Sequence, residues 1–259
     1  MSTARPSEFR QRFLKRELLL GSFIKTPTTH SIEILGGMGF DFVVIDEEHA
    51  PFDRVTIDNG LLAARAVGTA GIVRVAEPTP AKLLAVLDDG AAGVLVPHVS
   101  SVEKAKAIVS ACRYRGGSRG FSNSPRAGGY GTLGMWQHVE AQDKSVTVIA
   151  MIEDPEALDV IDEIVAIDGL DGFFVGRGDL SVAMGAQSQG APEIQSATEK
   201  IAKAAAVVGK PVCVMIGSIA ETPPFRTMGV TSFIVASDQS LMRQAAGKVL
   251  TDFREMAAG

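Results

Sequence analysis

The sequence predicts an α/β fold of the (β/α)8 TIM-barrel type. Eight short β-type runs recur along the 259 residues, helical patterns lie between them, and no Pro- or Ser-rich linker divides the chain. Several runs are wholly apolar, such as Phe42–Ile45, which is typical of parallel strands that are buried on both faces. Eight such strands alternating with helices in one undivided chain fit a closed barrel.

The eight predicted strands are Leu18–Phe23, Phe42–Ile45, Gly71–Val75, Val94–Val96, Val146–Ile152, Gly172–Val175, Val212–Ile216 and Ser232–Val235. Helical patterns cover Pro80–Leu87 (closed by Gly90), Glu193–Val208 and Gln239–Met256, and an opening helix is predicted at Ser7–Lys15. The alternative is an open doubly wound sheet, which normally carries a glycine-rich phosphate loop after its first strand. The segment Ile24–His30 is not such a loop.

The connection Arg113–Lys144 holds seven glycines and shows no clear periodicity. A loop of this length inside a compact domain is usually functional or mobile. We therefore expect an irregular segment after the fourth strand and its helix.

Composition excludes several classes of protein. With 46% hydrophobic residues the chain can form a sizeable core, and a net charge of -5 argues against binding to nucleic acid. No stretch approaches the about 20 apolar residues of a transmembrane helix, so no membrane partner is expected. Met1–Arg16 has no apolar signal-peptide core, and Cys112 and Cys213 have no metal-motif spacing. These features predict reduced thiols and a cytoplasmic location.

In a (β/α)8 barrel the active site lies at the carboxyl ends of the strands. The polar residues just past the predicted strands are Asp46, Glu47, Glu48 and His49 after the second, Arg74 at the end of the third, Glu153 and Asp154 after the fifth, and Gly176–Asp179 after the sixth. These positions are far apart in sequence but would converge in space. They would supply a base, a cation and two oxygen ligands.

Two carboxylates that face one cavity repel each other unless a cation lies between them. Glu153 and Asp179, with no His or Cys partner, suit Mg²⁺ or Mn²⁺. The alternative is that Glu153 begins a helix as an N-terminal charge and that Asp179 caps another. Gly176-Arg177-Gly178 would let a main-chain N–H approach an anion closely, although this pattern is most often a turn.

His49 follows an apolar strand and lies three residues after Asp46. A carboxylate that accepts an imidazole N–H raises its basicity, which suits a general base, although the spacing itself carries little information. A guanidinium at Arg74 is suited to binding a carboxylate or carbonyl oxygen. The alternative for Arg74 is a structural ion pair with Glu48 or Glu153, and the two roles are compatible.

The motifs together resemble the HpcH/HpaI aldolase family, the class II pyruvate aldolases that act on 4-hydroxy-2-oxoheptanedioate and 2-keto-3-deoxy sugar acids. The most specific stretch is Gly39–Pro51, which reads G-F-D followed by D-x-E-H-x-P. The resemblance extends from about Leu20 to Leu250. Supporting motifs are Val73-Arg74-Val75, Leu95-Val96-Pro97, Arg113-Tyr114, Ser118-Arg119-Gly120, Ile152-Glu153 and Val175–Ser181.

The resemblance implies a (β/α)8 barrel of the phosphoenolpyruvate/pyruvate type. It also implies a divalent metal cofactor, Mg²⁺ or Mn²⁺ with Co²⁺ as an alternative, and no organic cofactor. Carried over by residue, it assigns Glu153 and Asp179 as metal ligands, His49 as catalytic base with Asp46 as its partner, and Arg74 as the contact to the keto acid and its enolate. Gly178 and Asp179 match positions whose main-chain amides hold the pyruvate carboxylate. It also implies a homo-oligomer, a hexamer built as a trimer of dimers, in which the last helix of one 1–259 domain is exchanged with a neighbour.

Two positions depart from the family pattern: Arg177 stands where proline is common, and Met151 where glutamine is common. The expected reaction is reversible retro-aldol cleavage of a 4-hydroxy-2-oxo acid to pyruvate, or a close analogue, and an aldehyde. No Schiff base is expected, because Lys25, Lys82 and Lys210 fall in predicted loops or helices.

Two other functions stay open at this stage. One is a citryl- or malyl-thioester lyase, for which Arg113, Arg115, Arg119 and Arg126 are the only cluster suited to the phosphates of coenzyme A. The other is a non-catalytic barrel that binds keto acids, and the departures at Met151 and Arg177 motivate it.

Overall fold

The computed structural model describes residues 8–258 and contains a closed barrel of eight parallel strands in chain order. The strands are β1 (Leu19–Ile24), β2 (Phe42–Asp46), β3 (Ala70–Arg74), β4 (Gly93–Val96), β5 (Thr147–Ile152), β6 (Gly172–Val175), β7 (Val212–Ile216) and β8 (Ser232–Ser237). β8 pairs with β1, which closes the sheet and excludes the open doubly wound alternative. The predicted (β/α)8 barrel is confirmed, and each predicted strand overlaps an observed one.

The described α-helices are α1 (Phe9–Leu14), α2 (Thr29–Met38), α3 (Arg54–Val67), α4 (Pro80–Asp88), α5 (Val102–Cys112), α6 (Met135–Ser145), α7 (Pro155–Asp159), α8 (Ile161–Val165), α9 (Arg177–Ala183), α10 (Pro192–Val207), α11 (Thr222–Thr227) and α12 (Asp238–Ala258). The four predicted helices correspond to α1, α4, α10 and α12, although Ser7 of the first lies outside the described residues. None of the helices within 8–258 is both long and apolar enough to cross a membrane.

The connection between β4 and β5 is less irregular than the sequence predicts. Its last part forms α6, in which only His138 and Val139 are buried among the described side chains. Two buried positions are too few to produce a visible helical period, which explains the missed helix. The irregular part runs over 113–134 and includes a short 3₁₀ turn at Arg126–Gly128.

Local turn chemistry sets where the helices begin and end. The Asp53 carboxylate accepts the main-chain N–H of Thr56 at 2.8 Å, which caps the start of α3. α3 ends at Gly68 with φ +76°, a left-handed conformation that glycine adopts at little cost. Such caps satisfy main-chain groups that the helix leaves unpaired at its ends.

The side chains along each strand alternate between two apolar cores. Side chains on one face pack against the surrounding helices, whereas those on the other fill the barrel interior, among them Val44 and Ile72. Phe9 and Phe13 of α1 pack beneath this interior, with the Phe9 and Phe42 ring centroids 5.2 Å apart. Apolar side chains thereby fill the amino-terminal end of the barrel. The polar side chains of the predicted site lie at the carboxyl ends of the strands.

Candidate active site

A cavity of about 180 Å³ lies at the carboxyl ends of the strands. Phe23, Met151 and Phe174 form its apolar floor. The polar side chains that line it are Lys25, His49, Arg74, Arg177, Asp179 and Gln189. Ligand pockets for drug-sized molecules measure about 300–1,000 Å³, so this cavity suits a small organic acid.

A larger cavity of about 510 Å³ lies at the amino-terminal ends of β3 and β4, beside Gly71, Ala92 and Arg126. Active sites of these barrels are at the other end. We therefore place the active site in the smaller cavity, where the ionisable groups predicted from the strand ends converge.

Asp46 and Arg74 form a buried ion pair at one side of the cavity. The two residues are partners in the register between β2 and β3. Arg74 Nε donates to Asp46 Oδ1 at 2.9 Å and Nη2 to Oδ2 at 2.8 Å, while Nη1 lies 3.2 Å from Glu48 Oε2. Burial alone would raise the pKa of Asp46, but the hydrogen bonds and charge of Arg74 outweigh burial and hold this pKa below its usual value.

The expected contact between Asp46 and the His49 ring is replaced by a different one. Asp46 Oδ1 accepts the main-chain N–H of His49 at 3.2 Å. The ring itself is 55% exposed, lines the cavity, and has its Nε2 3.7 Å from Glu48 Oε2. The physical reason is the register: Arg74 occupies the position next to the Asp46 carboxylate. Asp46 therefore fixes the main chain of His49 and the guanidinium of Arg74.

Lys25 faces the site, contrary to the expectation that no lysine would. β1 extends through Ile24, one residue beyond its predicted end, so Lys25 is the first residue after the strand. Its Nζ lies 3.1 Å from Asp46 Oδ2. Sequence reasoning missed this residue because it ended the strand at Phe23.

Glu153 is almost fully buried, at 2% exposure, directly after β5. Its Oε1 accepts the main-chain N–H of His98 at 2.8 Å, and its Oε2 has no hydrogen-bond partner among the described residues. Burial raises the pKa of Glu153 to about 7, and the negative charges of Asp179 and Glu48 add to this rise against an opposing contribution from His98.

His98 is a second residue of the site that sequence reasoning missed. Its main chain has φ +55°, its main-chain N–H donates to Glu153 Oε1, and its ring Nδ1 lies 3.0 Å from Asp154 Oδ1. Burial lowers the pKa of His98, but the hydrogen bond to Asp154 and the neighbouring carboxylates raise it more. His98 thus contributes through its main chain, a role that leaves little trace in the sequence.

The Glu153 and Asp179 pair fits a divalent cation. Glu153 Oε2, which has no hydrogen-bond partner within residues 8–258, is a buried acceptor next to a second negative charge. Both features disfavour the ionised carboxylate unless a cation is present. Gly176 packs against this oxygen, since a Cβ there would lie 2.5 Å from Oε2. Residues 8–258 contain no group of three or more His, Cys, Asp or Glu side chains placed to hold a metal, so water and substrate would complete the coordination.

Both departures from the family pattern have a structural account. Arg177 donates to the main-chain oxygens of Met215 and Gln189, and its guanidinium stacks 4.7 Å from the Phe225 ring centroid. It therefore holds the segment before α10 against β7 and α11. Met151 is buried in the apolar floor of the cavity.

Comparisons with known proteins agree with this geometry. Residues 19–245 match the family model of the HpcH/HpaI aldolase/citrate lyase family. The chain is 34% identical to a 5-keto-4-deoxy-D-glucarate aldolase of Enterobacter sp. (strain 638), over 96% of this chain and 98% of the relative. An HpcH/HpaI aldolase/citrate lyase family protein of Burkholderia cenocepacia J2315 superposes with a TM-score of 0.90 at 26% identity, over 96% of this chain and 99% of the other.

The citrate synthase SbnG superposes with a TM-score of 0.87 at 28% identity, over 96% of this chain and 98% of the other. The range of relatives therefore includes proteins named for the cleavage and for the formation of carbon–carbon bonds. The chain belongs to the HpcH/HpaI aldolase/citrate lyase family, which confirms both the predicted family and the enzyme class of carbon–carbon lyase.

Proposed function

We propose that this aldolase cleaves a 4-hydroxy-2-oxo acid of the keto-deoxy sugar acid type into pyruvate, or a close analogue, and an aldehyde. The observation that carries the proposal is the buried Glu153 carboxylate, one oxygen of which has no partner among the described residues. Its pKa is raised by the charge of Asp179, which lines the cavity together with Arg74 and His49. The 34% identical glucarate aldolase supports the class of substrate.

We assign Glu153 and Asp179 as the residues that would hold a divalent cation, with Mg²⁺ or Mn²⁺ suited to oxygen ligands. A bound divalent metal supplies Lewis acidity toward the 2-oxo acid. The remaining chemistry falls to side chains and main-chain groups of this protein.

Arg74 is suited to stabilise the enolate oxygen that forms when the C3–C4 bond breaks. Two of its N–H groups donate to Asp46, and Nη1 lies 3.2 Å from Glu48 Oε2. A guanidinium has five N–H donors, so about two have no partner among the described residues. Its side chain is held in place by Asp46 and by the Phe23 ring, whose centroid is 4.7 Å away. Preorganised donors directed at developing charge usually make the largest single contribution to catalysis.

His49 is proposed as the base that takes the proton of the C4 hydroxyl, with its main chain fixed by Asp46. Gly178 and Asp179 lie in the first turn of α9, where main-chain N–H groups have no partner within the helix. We propose that these two amides hold the substrate carboxylate, as the family resemblance implies.

The test is a panel of 4-hydroxy-2-oxo acids assayed for release of pyruvate, after chelator treatment and after addition of Mg²⁺ or Mn²⁺. We expect cleavage that is lost in chelator and restored by the metal. Full activity in excess chelator, with no metal detected in the protein, would contradict the metal role. Binding of pyruvate without exchange of its methyl protons in D₂O would favour the non-catalytic alternative.

The pH dependence of metal binding tests the role of Glu153. A metal ligand must be the ionised carboxylate, and the metal-free pKa of Glu153 is about 7. Below this pH the metal must displace a proton, so apparent metal affinity should fall about tenfold for each pH unit that is lost. With this pKa the ionised fraction of Glu153 differs about tenfold between pH 6 and pH 8, so metal titration at these two pH values should give affinities about tenfold apart. Equal affinities would contradict the raised pKa of Glu153.

The four arginines that a thioester lyase would need for the phosphates of coenzyme A are engaged in ion pairs. Each of the four arginines pairs with an acidic side chain: Arg113 with Asp171, Arg115 with Glu140, Arg119 with Asp88 and Arg126 with Asp58. Arg113 and Arg119 are also buried. These contacts favour the aldolase over a coenzyme A thioester lyase.

We also propose that residues 1–259 form one aldolase domain and that α12 packs on a neighbouring copy in a homo-oligomer, a hexamer as the resemblance implies. The support is a set of large apolar side chains on α12 that are exposed in the single chain: Met242, Val249, Leu250, Phe253 and Met256. Light scattering should give a mass near six chains, and Phe253→Glu should lower it. A wild-type monomer would contradict this assembly. The cytoplasmic location stays a prediction.

A further inference from the structure

Lys25 is a cation of the cavity to which neither the family motifs nor the proposed mechanism gives a role. It follows β1 two residues after Phe23, and both side chains line the cavity. Alternate residues of a strand point to the same face, and each residue advances the strand by about 3.3 Å. Lys25 therefore lies on the same face as Phe23 and nearer to the mouth of the barrel.

The main chain of Lys25 is held firmly. Its N–H donates to Asp238 Oδ1 at 2.8 Å, and its carbonyl oxygen accepts from Gln239 Nε2 at 3.3 Å. Both partners lie at the start of α12, so the last helix of the barrel fixes the position of this residue. A positioned main chain reduces the conformational freedom that a ligand contact would otherwise have to remove.

The contact of Lys25 with Asp46 does not exhaust its donors. Asp46 already accepts two N–H groups from Arg74 and one from His49, and Lys25 Nζ adds a contact of 3.1 Å to Oδ2. An ammonium has three donors. With one directed at Asp46 and the side chain 28% exposed, about two remain for a ligand in the cavity.

The position of Lys25 relative to the metal-binding carboxylates decides which part of the substrate it reaches. In a closed barrel of eight strands in chain order, β1 and β5 are four strands apart in either direction. Lys25 follows β1 and Glu153 follows β5. A substrate that has its 2-oxo acid at Glu153 and lies across the barrel would bring its other end near Lys25.

Arg177, which also lines the cavity, is held by the main-chain oxygens of Met215 and Gln189. Lys82, at the same end of the barrel, is bound to Glu47 at 2.5 Å. Lys25 thus follows the strand opposite that of Glu153. Its ammonium group also has N–H donors that the described residues leave available.

We propose that Lys25 is a further substrate-binding residue, whose ammonium group binds a carboxylate at the end of the substrate remote from its 2-oxo acid. The inference rests on the proposed function for the orientation of the substrate. Lys25 would then be the residue that makes the site prefer 2-oxo acids with a second carboxylate.

The test compares two six-carbon ligands that lack the 4-hydroxyl and so cannot be cleaved: 2-oxoadipate, with a terminal carboxylate, and 2-oxohexanoate, with a terminal methyl. Dissociation constants are measured by calorimetry in Mg²⁺ for the wild type, Lys25→Met and Lys25→Arg. We expect the wild type to prefer 2-oxoadipate by about 10- to 100-fold, as for a hydrogen bond between charged groups. Lys25→Met should lose this preference, and Lys25→Arg should keep most of it.

Lys82→Met is the matched control, because it removes the same charge from the same end of the barrel, outside the cavity lining. It should keep the preference. Equal weakening of both ligands in Lys25→Met would show that Lys25 acts only by holding Asp46, and would overturn the proposal. So would a wild type that does not distinguish the ligands, or a borohydride-trapped pyruvate adduct on Lys25. Since binding needs no turnover, failure of the cleavage assay would count against the proposed function alone.

Discussion

Replacing Arg74 by lysine is expected to lower kcat/KM for retro-aldol cleavage by about 10²- to 10³-fold, the usual effect of losing one donor to a developing oxyanion. Lysine keeps the positive charge but cannot donate two parallel N–H groups to Asp46 while it directs others into the cavity. The same loss should appear in decarboxylation of oxaloacetate, because this reaction also passes through the enolate of pyruvate. Steady-state kinetics on both reactions measure the effect.

Arg113→Lys is the matched control. Arg113 is a buried arginine paired with Asp171, which lies just before β6 at the opposite end of the barrel. Lysine is used in both variants because alanine at 74 would leave the buried Asp46 without its main partner, a change that costs about 3–5 kcal/mol of stability. Arg113→Lys should keep the kcat of the folded enzyme. An Arg74→Lys enzyme within threefold of the wild type would contradict the role in enolate stabilisation.

The barrel was predictable because its strands are buried on both faces. A run such as Phe42–Ile45 is apolar throughout, and all four of these side chains are buried. The predicted ends of the strands were less accurate than their existence, and one of these boundary errors affected the predicted site. Ending the first strand at Phe23 instead of Ile24 placed Lys25 in a loop and removed a cation from the site. The apolar Ile24 indicates the longer strand. With the strand ending at Ile24, Lys25 follows directly and lies on the same face as Phe23.

The sequence predicts which residues lie in the site better than it predicts which of them bind one another. Polar residues that follow parallel strands converge at one end of the barrel, which is why Arg74 and His49 were both expected there. The choice of Arg74 as the partner of Asp46 depends on the register of β2 against β3, and local spacing does not give this register. His98 acts through its main-chain N–H, a group that every residue except proline carries.

Replacing His49 by alanine is expected to lower kcat for cleavage of a 4-hydroxy-2-oxo acid by about 10²- to 10⁴-fold, the usual contribution of a general base. The 55% exposed ring lines the cavity, whereas the hydrogen bond from its main chain to Asp46 survives the substitution. The pairing of Asp46 with Arg74 should therefore persist. Metal affinity should match the wild type. His30→Ala is the control, since this exposed histidine belongs to the first turn of α2 and contacts Thr28.

Decarboxylation of oxaloacetate separates the two catalytic roles. Oxaloacetate has no C4 hydroxyl, so its conversion to the pyruvate enolate requires no base at that position. His49→Ala should therefore decarboxylate oxaloacetate at close to the wild-type rate while it fails to cleave hydroxy acids, whereas Arg74→Lys should lose both reactions. If His49→Ala lost both reactions equally, the histidine would act on the enolate instead of the hydroxyl proton. The base would then have to be sought among the other groups at the mouth of the cavity, where Glu48 lies 3.7 Å from the His49 ring.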